Sequence, residues 1–97
     1  MSHSIHPEAE AEFEAAIKFY NEREEGLGDD LYYEVFAAID LIFEFPNSWQ
    51  QYSHRTRRCF CNRFPFSVIY RHTDAELTIY AVAHQSRKPG YWKDRLI

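Results

Sequence analysis

The amino-acid sequence predicts an α+β fold, in which an N-terminal antiparallel helical hairpin packs on a small, mainly antiparallel β-sheet of three to four strands. Between residues 7 and 45, apolar residues recur every three or four positions, as they do along the buried face of a helix. From residue 56 they alternate with polar residues instead, which is the period of a strand. A chain of 97 residues has the length of one domain, so we expect residues 1–97 to form a single domain.

The first helix is predicted over residues 7–25. Pro7 fits the first turn of a helix, and the acidic residues that follow it complement the positive end of the helix dipole. One buried stripe is expected, formed by Ala9, Phe13, Ala16, Ile17 and Tyr20. Residues 3–5 are expected to form a short strand before this helix, and Gly26-Leu27-Gly28 is expected to end it.

The second helix is predicted over residues 29–45, with Asp29 or Asp30 as its N-cap and Pro46 as its end. The short glycine-containing connection makes the two helices an antiparallel hairpin. This helix has two apolar faces, which indicates that it is sandwiched between other elements or used in part for a partner. The first face holds Leu31, Val35, Ala38, Ile39 and Ile42, and the second holds Tyr32, Phe36 and Phe43.

Three strands are predicted after a polar loop, over residues 56–63, 66–71 and 77–84, with a hairpin turn at residues 72–75. On the last strand, strict alternation places Leu77, Ile79, Ala81 and Ala83 on one face and Thr78, Tyr80, Val82 and His84 on the other. The helical hairpin is expected to cover one face of the sheet and to leave the other partly open. A short basic and aromatic tail, residues 87–95, ends the chain.

Composition argues against several classes of protein. The chain has no run of about 18 apolar residues, and its first residues lack the basic and apolar regions of a signal peptide, so we expect a cytoplasmic protein without a membrane span. Cys59 and Cys61 would point to the same face of a strand without the geometry of a routine disulfide. Since the five histidines are scattered, these cysteines lack further ligands at a suitable spacing, and we expect neither a metal nor a cofactor.

Charge is divided unevenly along the chain, whose net charge is −4. Residues 1–45 carry twelve acidic and two basic residues, whereas residues 46–97 carry three acidic and nine basic ones. Residues 51–72 contain no acidic residue, although they include Arg55, Arg57, Arg58, Arg63 and Arg71. This basic stretch either attracts an anionic partner or only balances the acidic helices, and the charge pattern leaves both readings open.

The order of these elements resembles the RelE/ParE toxin superfamily over almost the whole chain. The resemblance is carried by short segments at matching places, namely HPEA at residues 6–9, GLG at 26–28, FPFSVIY at 64–70 and AVAHQSRKPGYW at 81–92. It implies the toxin of a type II toxin–antitoxin (plasmid stabilisation) system, which inhibits growth. It also implies a cognate antitoxin, a separate small protein whose disordered tail folds onto the toxin.

Two modes of action occur in this superfamily. RelE-like members cut mRNA on the ribosome, and the resemblance would assign that chemistry to His84, Arg87 and Tyr91. However, Ser67 and Gln85 stand where such nucleases carry arginines, and their loss would remove several kcal/mol of transition-state stabilisation. ParE-like members bind DNA gyrase and need no catalytic group. A non-enzymatic gyrase inhibitor is therefore the preferred interpretation, with an mRNA endonuclease as the alternative and an inactive toxin as the third.

The residues expected to bind the antitoxin or the target are Arg57, Arg63, Arg87, Tyr91 and Trp92. Each also has a structural interpretation. Arg87 and Arg95 would pair with the acidic helices, and the two aromatic residues would form a hydrophobic lid on the sheet. Because Arg57 and Arg58 are neighbours on a strand, they point to opposite faces, and only one of them can join a given patch.

Overall fold

The computed structural model describes residues 2–96 and has an α+β fold of two helices and a five-stranded sheet, which confirms the predicted class. The helices are α1 (Pro7–Arg23) and α2 (Leu27–Glu44). The strands are β1 (Ser2–Ile5), β2 (Gln50–Gln51), β3 (Arg57–Phe60), β4 (Phe66–His72) and β5 (Glu76–His84). They lie in the order β1-β5-β4-β3-β2, in which only β1 and β5 are parallel. The sheet is mainly antiparallel, with five strands instead of three to four.

The differences in strand number and length have local causes. The two-residue β2 pairs with Arg57 and Arg58 of β3, and it is too short for any period to show in the sequence. β3 ends at Phe60 and not at residue 63, because residues 61–65 turn the chain back into β4. The N–H of Cys61 donates to the carbonyl of Phe66 at 2.9 Å across this turn.

Helix α1 begins at Pro7 as predicted and ends at Arg23, two residues earlier than predicted. His6 is the N-cap residue, and its Nδ1 accepts a hydrogen bond from the N–H of Glu8 at 3.1 Å. Gly26 then adopts a left-handed conformation with φ of 84°, which favours glycine. The chain therefore reverses direction between Arg23 and Leu27.

Helix α2 begins at Leu27 and ends at Glu44, so the prediction that Asp29 or Asp30 caps it is wrong. The free N–H groups of its first turn are bound instead by Asn21 of α1. Its Oδ1 accepts from Gly28 at 2.7 Å and from Asp29 at 3.3 Å. A side chain from the preceding helix thus replaces the local cap, which short-range patterns do not reveal.

The main hydrophobic core lies between the helices and one face of the sheet. The helices contribute Phe13, Leu31, Val35, Ile39 and Ile42, and the sheet contributes Cys59, Val68, Tyr70, Leu77, Ile79 and Val82. The hydroxyl of Tyr70 donates to the carbonyl of Pro46 at 2.7 Å, which gives this buried phenol a partner. The predicted stripe of α1 faces this core, with Ala9 and Phe13 fully buried.

The faces predicted for β5 are partly wrong, because the strand contains a β-bulge. Ile69 of β4 pairs with Ala81 and Tyr70 pairs with Ile79, so Tyr80 has no partner in β4. The extra residue inverts the alternation beyond it. As a result, Ile79 faces the helices together with Val82, while Ala81 and Ala83 turn to the opposite face.

The C-terminal tail covers part of that opposite face. Trp92 is 1% exposed and packs with Ile69, Ala81 and Ala83 in a second, smaller core. A 3₁₀ turn at Lys93–Leu96 follows it. Neither helix among residues 2–96 combines the length and the apolar character that a membrane span needs.

Candidate functional site

A cleft of about 270 Å³ lies between the tail and the sheet face that carries the smaller core. We call it the Arg58–Arg87 cleft, after the two arginines that line it. The sheet and its flanking loop contribute Tyr52, Arg58, Phe60, Ser67, Ile69, Ala83 and His84, and the residues after β5 contribute Gln85, Arg87, Lys88, Pro89, Tyr91 and Trp92. This lining contains four basic or imidazole side chains and no carboxylate, so it offers a positive environment to an anionic group.

Arg58 enters the cleft from β3. It pairs across the sheet with Ile69, whose side chain belongs to the smaller core, and so it lies on the tail side of the sheet. Its guanidinium carbon lies 4.0 Å from the ring centroid of Tyr52 and 4.5 Å from that of Phe60. The Nε atom is buried and has no acceptor among residues 2–96. Stacking between rings, and not an ion pair, therefore holds this side chain in place.

Arg87 faces the cleft from the tail. Its guanidinium carbon lies 3.9 Å from the ring centroid of Tyr91, a close cation–π contact. Within the described residues, neither Arg87 nor Arg58 takes part in an ion pair or donates a side-chain hydrogen bond to the protein. The cleft thus contains two guanidinium groups that are oriented by aromatic rings and have no protein anion to neutralise them.

Tyr91 is held by Glu12 of α1. Its hydroxyl donates to Glu12 Oε2 at 2.8 Å. Burial, together with this hydrogen bond and the charge of Glu12, raises the pKa of Tyr91 well above its usual value. The phenol therefore stays protonated at neutral pH and is engaged in a structural contact.

Glu12 also joins the tail to the bulge in β5. Its Oε1 accepts from the N–H of Val82 at 2.9 Å and from Arg95 Nη1 at 2.8 Å. The same Nη1 donates to the carbonyl of Tyr80 at 3.0 Å. Arg95 therefore pairs with an acidic helix, in agreement with its structural interpretation, whereas Arg87 does not.

His84 ends β5 at the edge of the cleft. Its Nδ1 lies 3.0 Å from the N–H of Ser86 and 2.8 Å from the Oγ of the same residue. The edge of the ring packs on Phe66, with a centroid separation of 5.2 Å. One ring nitrogen thus stabilises the turn into the tail, which is a structural role for the residue.

Ser67 and Gln85 lie in the lining of the same cleft. These are the two positions at which the resemblance to RelE-like nucleases would require arginine. Ser67 is 4% exposed and small, so the floor of the cleft is uncharged at that point. The cleft does contain two arginines, Arg58 and Arg87, of which the resemblance assigned only Arg87 to the nuclease chemistry.

The five residues predicted to bind a partner do not form one patch. Arg87, Tyr91 and Trp92 meet at the cleft, although Trp92 is almost completely buried and contributes to its wall from inside the core. Arg57 lies on the helix side of β3, where it pairs with Tyr70 and donates to the carbonyl of Trp49 at 2.8 Å. Arg63 lies in the turn after β3, 3.6 Å from Asp30 of α2.

Arg58 is the cleft residue that sequence reasoning did not select. Alternation along the strand showed that only one of Arg57 and Arg58 could join a patch, but it did not show which one faces the tail. Phe60, two positions further along the strand, was the sequence feature that could have indicated which of the two arginines faces the tail. A large apolar residue on the same face as an arginine offers a ring on which the guanidinium can stack.

The described residues offer no metal site. Among residues 2–96, no group of three His, Cys, Asp or Glu side chains lies close enough to hold an ion. Cys59 and Cys61 are free thiols buried in the main core. Burial raises the pKa of both, that of Cys61 to about 12, so neither is a reactive thiolate at neutral pH.

Comparison with known proteins agrees with this architecture. A family model described as the ParE toxin of the type II toxin–antitoxin system parDE matches residues 4–89. Among solved structures, a chain of the chromosomal ParDE TA system from P. aeruginosa superposes with a TM-score of 0.75. The two chains are 17% identical, and the match covers 87% of this chain and 95% of that one, which shows a shared fold. No curated protein matches the chain in sequence.

Proposed function

The chain belongs to the family of ParE toxins of type II toxin–antitoxin systems, and from this premise we propose that it inhibits growth by binding DNA gyrase. On this proposal the toxin acts by protein–protein contact in the cytoplasm and carries out no chemistry of its own. A cognate antitoxin neutralises it by covering the surface that contacts the target.

The main support for this proposal is the residue composition of the Arg58–Arg87 cleft. Phosphodiester cleavage develops negative charge in its transition state, and it needs several cationic groups directed at the phosphate. Ser67 and Gln85 supply no charge at two of the positions where RelE-like nucleases have arginines. Removal of a single such donor typically slows an enzyme by a factor of about 10² to 10³.

The candidate acid and base groups, Tyr91 and His84, also take part in hydrogen bonds within the protein. The hydroxyl of Tyr91 donates to Glu12, and a raised pKa keeps it protonated. The Nδ1 atom of His84 is engaged by Ser86. Both contacts stabilise the tail against the rest of the fold, so these side chains have structural roles that do not require catalysis.

An mRNA endonuclease with a degenerate site remains the second candidate. It is favoured by one observation, the presence of Arg58, Arg87 and His84 around the same cleft. In that case the two arginines would contact the phosphate and His84 would transfer a proton through its Nε2 atom. The overall acidity of the chain, whose net charge is −4, opposes binding to the ribosome and its RNA.

The proposed antitoxin surface has two parts. Arg87 and Tyr91 place one part at the cleft. The helical hairpin supplies the other, because the second apolar face of α2 leaves Tyr32 43% exposed and Tyr33 is 69% exposed beside it. Arg57 and Arg63 lie outside the cleft, so an antitoxin that contacts them as well must extend along the hairpin.

The proposal is tested by inducing the chain alone in bacteria and following DNA and protein synthesis separately in the first minutes. We expect DNA synthesis to fall first. Purified toxin should also inhibit supercoiling by gyrase, and added antitoxin should restore it.

The proposal is overturned in favour of the nuclease if protein synthesis falls first and mRNA is cleaved. In that case Arg87→Ala should abolish both effects, and the exposed control Lys18→Ala should not. If neither DNA synthesis nor protein synthesis changes while the protein is folded and present, the toxin is inactive and the gyrase proposal fails.

A further inference from the structure

A second hollow, of about 310 Å³, lies at the end of the sheet where β2, β3 and β4 meet. Arg55, Arg57, Arg71 and His72 line it, and the other side chains of its lining carry no charge. We call it the Arg55–Arg71 hollow. It shares Tyr52 with the Arg58–Arg87 cleft, but it contains neither arginine of that cleft.

The unequal lengths of β3 and β4 open this hollow. β3 begins at Arg57, which pairs with Tyr70, whereas β4 continues to His72. The last two residues of β4 therefore have no partner in β3, and residues 52–56 form a loop at this point. Arg57 and Arg71 lie on opposite faces of the sheet, and they can line one hollow because it lies at the sheet's open end.

The loop at residues 52–56 is held in a strained conformation by Arg71. His54 and Arg55 both adopt left-handed backbone conformations, with φ of 60° and 61°, although neither is glycine. Such conformations cost free energy, and they concentrate at ligand-binding and active sites. Arg71 Nη2 donates to the carbonyl of His54 at 2.7 Å, and Nε donates to that of Arg55 at 3.4 Å. Arg71 thus fixes the loop that carries Arg55.

All three guanidinium groups of the hollow retain N–H donors. Arg57 donates to the carbonyl of Trp49 at 2.8 Å through Nη1, which leaves its Nε and Nη2. Arg71 keeps its Nη1. Within residues 2–96, Arg55 donates no side-chain hydrogen bond, and none of the three arginines forms an ion pair. Two of these cations are therefore held in place by backbone carbonyls while they keep donors for a ligand.

The carboxylates of the described chain leave this positive charge unneutralised. Residues 51–72 contain no acidic residue. Glu76 lines a neighbouring hollow together with Arg71. Its Oε1, however, accepts from the hydroxyls of Ser4 and Thr78, both at 3.3 Å. The Arg55–Arg71 hollow therefore has a positive potential that an anionic ligand can satisfy.

We propose that the Arg55–Arg71 hollow binds the phosphate groups of a small ligand, either free pyrophosphate or the phosphate chain of a nucleotide. Guanidinium groups bind phosphate oxygens through paired hydrogen bonds. Three of them around one hollow suit a tetrahedral anion, whose oxygens accept from several directions, better than a planar carboxylate. The proposal goes beyond gyrase inhibition, which assigns no ligand to this hollow.

A small phosphate ligand fits this hollow better than a nucleic acid does. The volume of about 310 Å³ lies at the lower end of the range for small-molecule sites. Residues 1–45 carry twelve acidic residues, and their charge repels a long polyanion. A phosphodiester also carries only about one negative charge per phosphate, whereas a terminal phosphate carries up to about two.

The test is titration calorimetry of the full chain with inorganic pyrophosphate, at physiological ionic strength and without divalent cations. The wild type should bind pyrophosphate saturably at a single site. Arg55→Gln should weaken binding by about tenfold, because it removes one charged hydrogen-bond donor from the hollow. Arg55→Lys keeps the charge but loses the planar fork, so its affinity should lie between those of Arg55→Gln and the wild type. Arg55 is exposed, so both variants should fold.

Arg23→Gln is the matched control. Arg23 is also an exposed arginine without an ion pair among residues 2–96, and its guanidinium carbon lies 4.5 Å from the ring centroid of Phe19. The substitution removes the same charge outside the hollow and should change the affinity by less than about twofold. Arg58→Gln tests the neighbouring cleft and should change it by less than about threefold.

ATP in place of pyrophosphate identifies the source of the phosphate groups. An affinity about tenfold or more above that of pyrophosphate would assign a nucleotide, because the base and the sugar then contribute contacts. An equal or lower affinity would assign pyrophosphate itself. Both results support the site only if Arg55→Gln weakens the binding.

Three results would overturn the proposal. Failure of the folded wild type to bind either pyrophosphate or ATP would remove the site. Equal losses in Arg23→Gln and Arg55→Gln would mean that net charge, and not the hollow, attracts the ligand. Tighter, Arg55-dependent binding of a short single-stranded RNA or of a polyglutamate peptide would make the hollow a surface for that polymer instead. Melting curves of each variant show whether it is folded. Since no measurement involves gyrase or an antitoxin, failure here leaves the proposed function standing.

Discussion

Glu12 of α1 accepts a hydrogen bond from the N–H of Val82, 2.9 Å away, at the point where the bulge in β5 ends. Strand β1 pairs with β5 only as far as Ile79, so backbone groups of β5 beyond that residue have no partner strand on this edge of the sheet. Here a carboxylate from a helix binds the free N–H, and Arg95 binds the carbonyl of Tyr80 at 3.0 Å. Since Glu12 and Arg95 also bind each other, one ion pair both stabilises the bulge and fixes the tail that forms a wall of the cleft.

Replacement of Glu12 by Gln should destabilise the fold by about 2–4 kcal/mol, because it leaves the largely buried Arg95 without its anion. The free energy of unfolding, measured in urea, checks this value. Glu10→Gln is the matched control, since Glu10 is exposed on the same helix, and it should change stability by less than about 0.5 kcal/mol. Equal effects of the two substitutions would show that the Glu12–Arg95 pair does not stabilise the tail.

Tyr91→Phe should leave growth inhibition unchanged while lowering stability by about 1 kcal/mol, the usual value of one hydrogen bond. The substitution removes the donor to Glu12 but keeps the ring beneath Arg87. Colony counts after induction and a urea titration measure the two effects. Loss of toxicity in a folded variant would mean that the hydroxyl takes part in the activity, as the nuclease alternative requires.

The stability of the chain should fall as the pH rises above about 9. Burial raises the pKa of Cys61 from 9.0 to about 12 in the folded state. Between these values the unfolded chain loses the thiol proton and the folded chain retains it, so ionisation favours unfolding. For one such group, the free energy of unfolding drops by about 1.4 kcal/mol per pH unit in this window.

Urea titrations under reducing conditions, from pH 8 to 11, measure this slope. Cys61→Ala should lower stability at pH 8, because it removes buried volume, and should make the decline above pH 9 shallower. Tyr70 adds a second decline above pH 10, since burial raises its pKa to about 12. An unchanged slope in Cys61→Ala would assign the alkaline loss to other groups.

The two helices and the strands β4 and β5 could be predicted because their apolar periods are long enough to recognise. Pro7 and the predicted stripe of α1 lie where short-range rules place them. The bulge at Tyr80 could not be predicted, since a sequence with perfect alternation contains no sign of an inserted residue. Glu12 and Arg95, whose side chains bind the backbone beside it, are 83 residues apart in the chain.

The cleft was only partly predictable for the same reason. Arg87 and Tyr91 are close in sequence, so their proximity follows from a short tail, and the resemblance to known toxins selected both. Arg58 reaches them only because β3 packs beside β4 with a particular face toward the tail. Trp92 was expected at a binding surface, but it is 1% exposed, because the small residues Ala81 and Ala83 leave room for its ring in the smaller core.

The close approach of the two helices gives the last prediction. A Cβ atom at Gly28 would collide with the carbonyl of Ile17 and with the side chain of Asn21, so Gly28→Ala should destabilise the fold by about 1–3 kcal/mol. Gly26→Asn is the matched control. Gly26 has space around it and a φ of 84°, which asparagine tolerates better than most residues, so its cost should stay at or below about 1 kcal/mol. Thermal unfolding of both variants measures the difference. If Gly28→Ala is as stable as the wild type, the helices separate at little cost, and Asn21 is not required as the cap of α2.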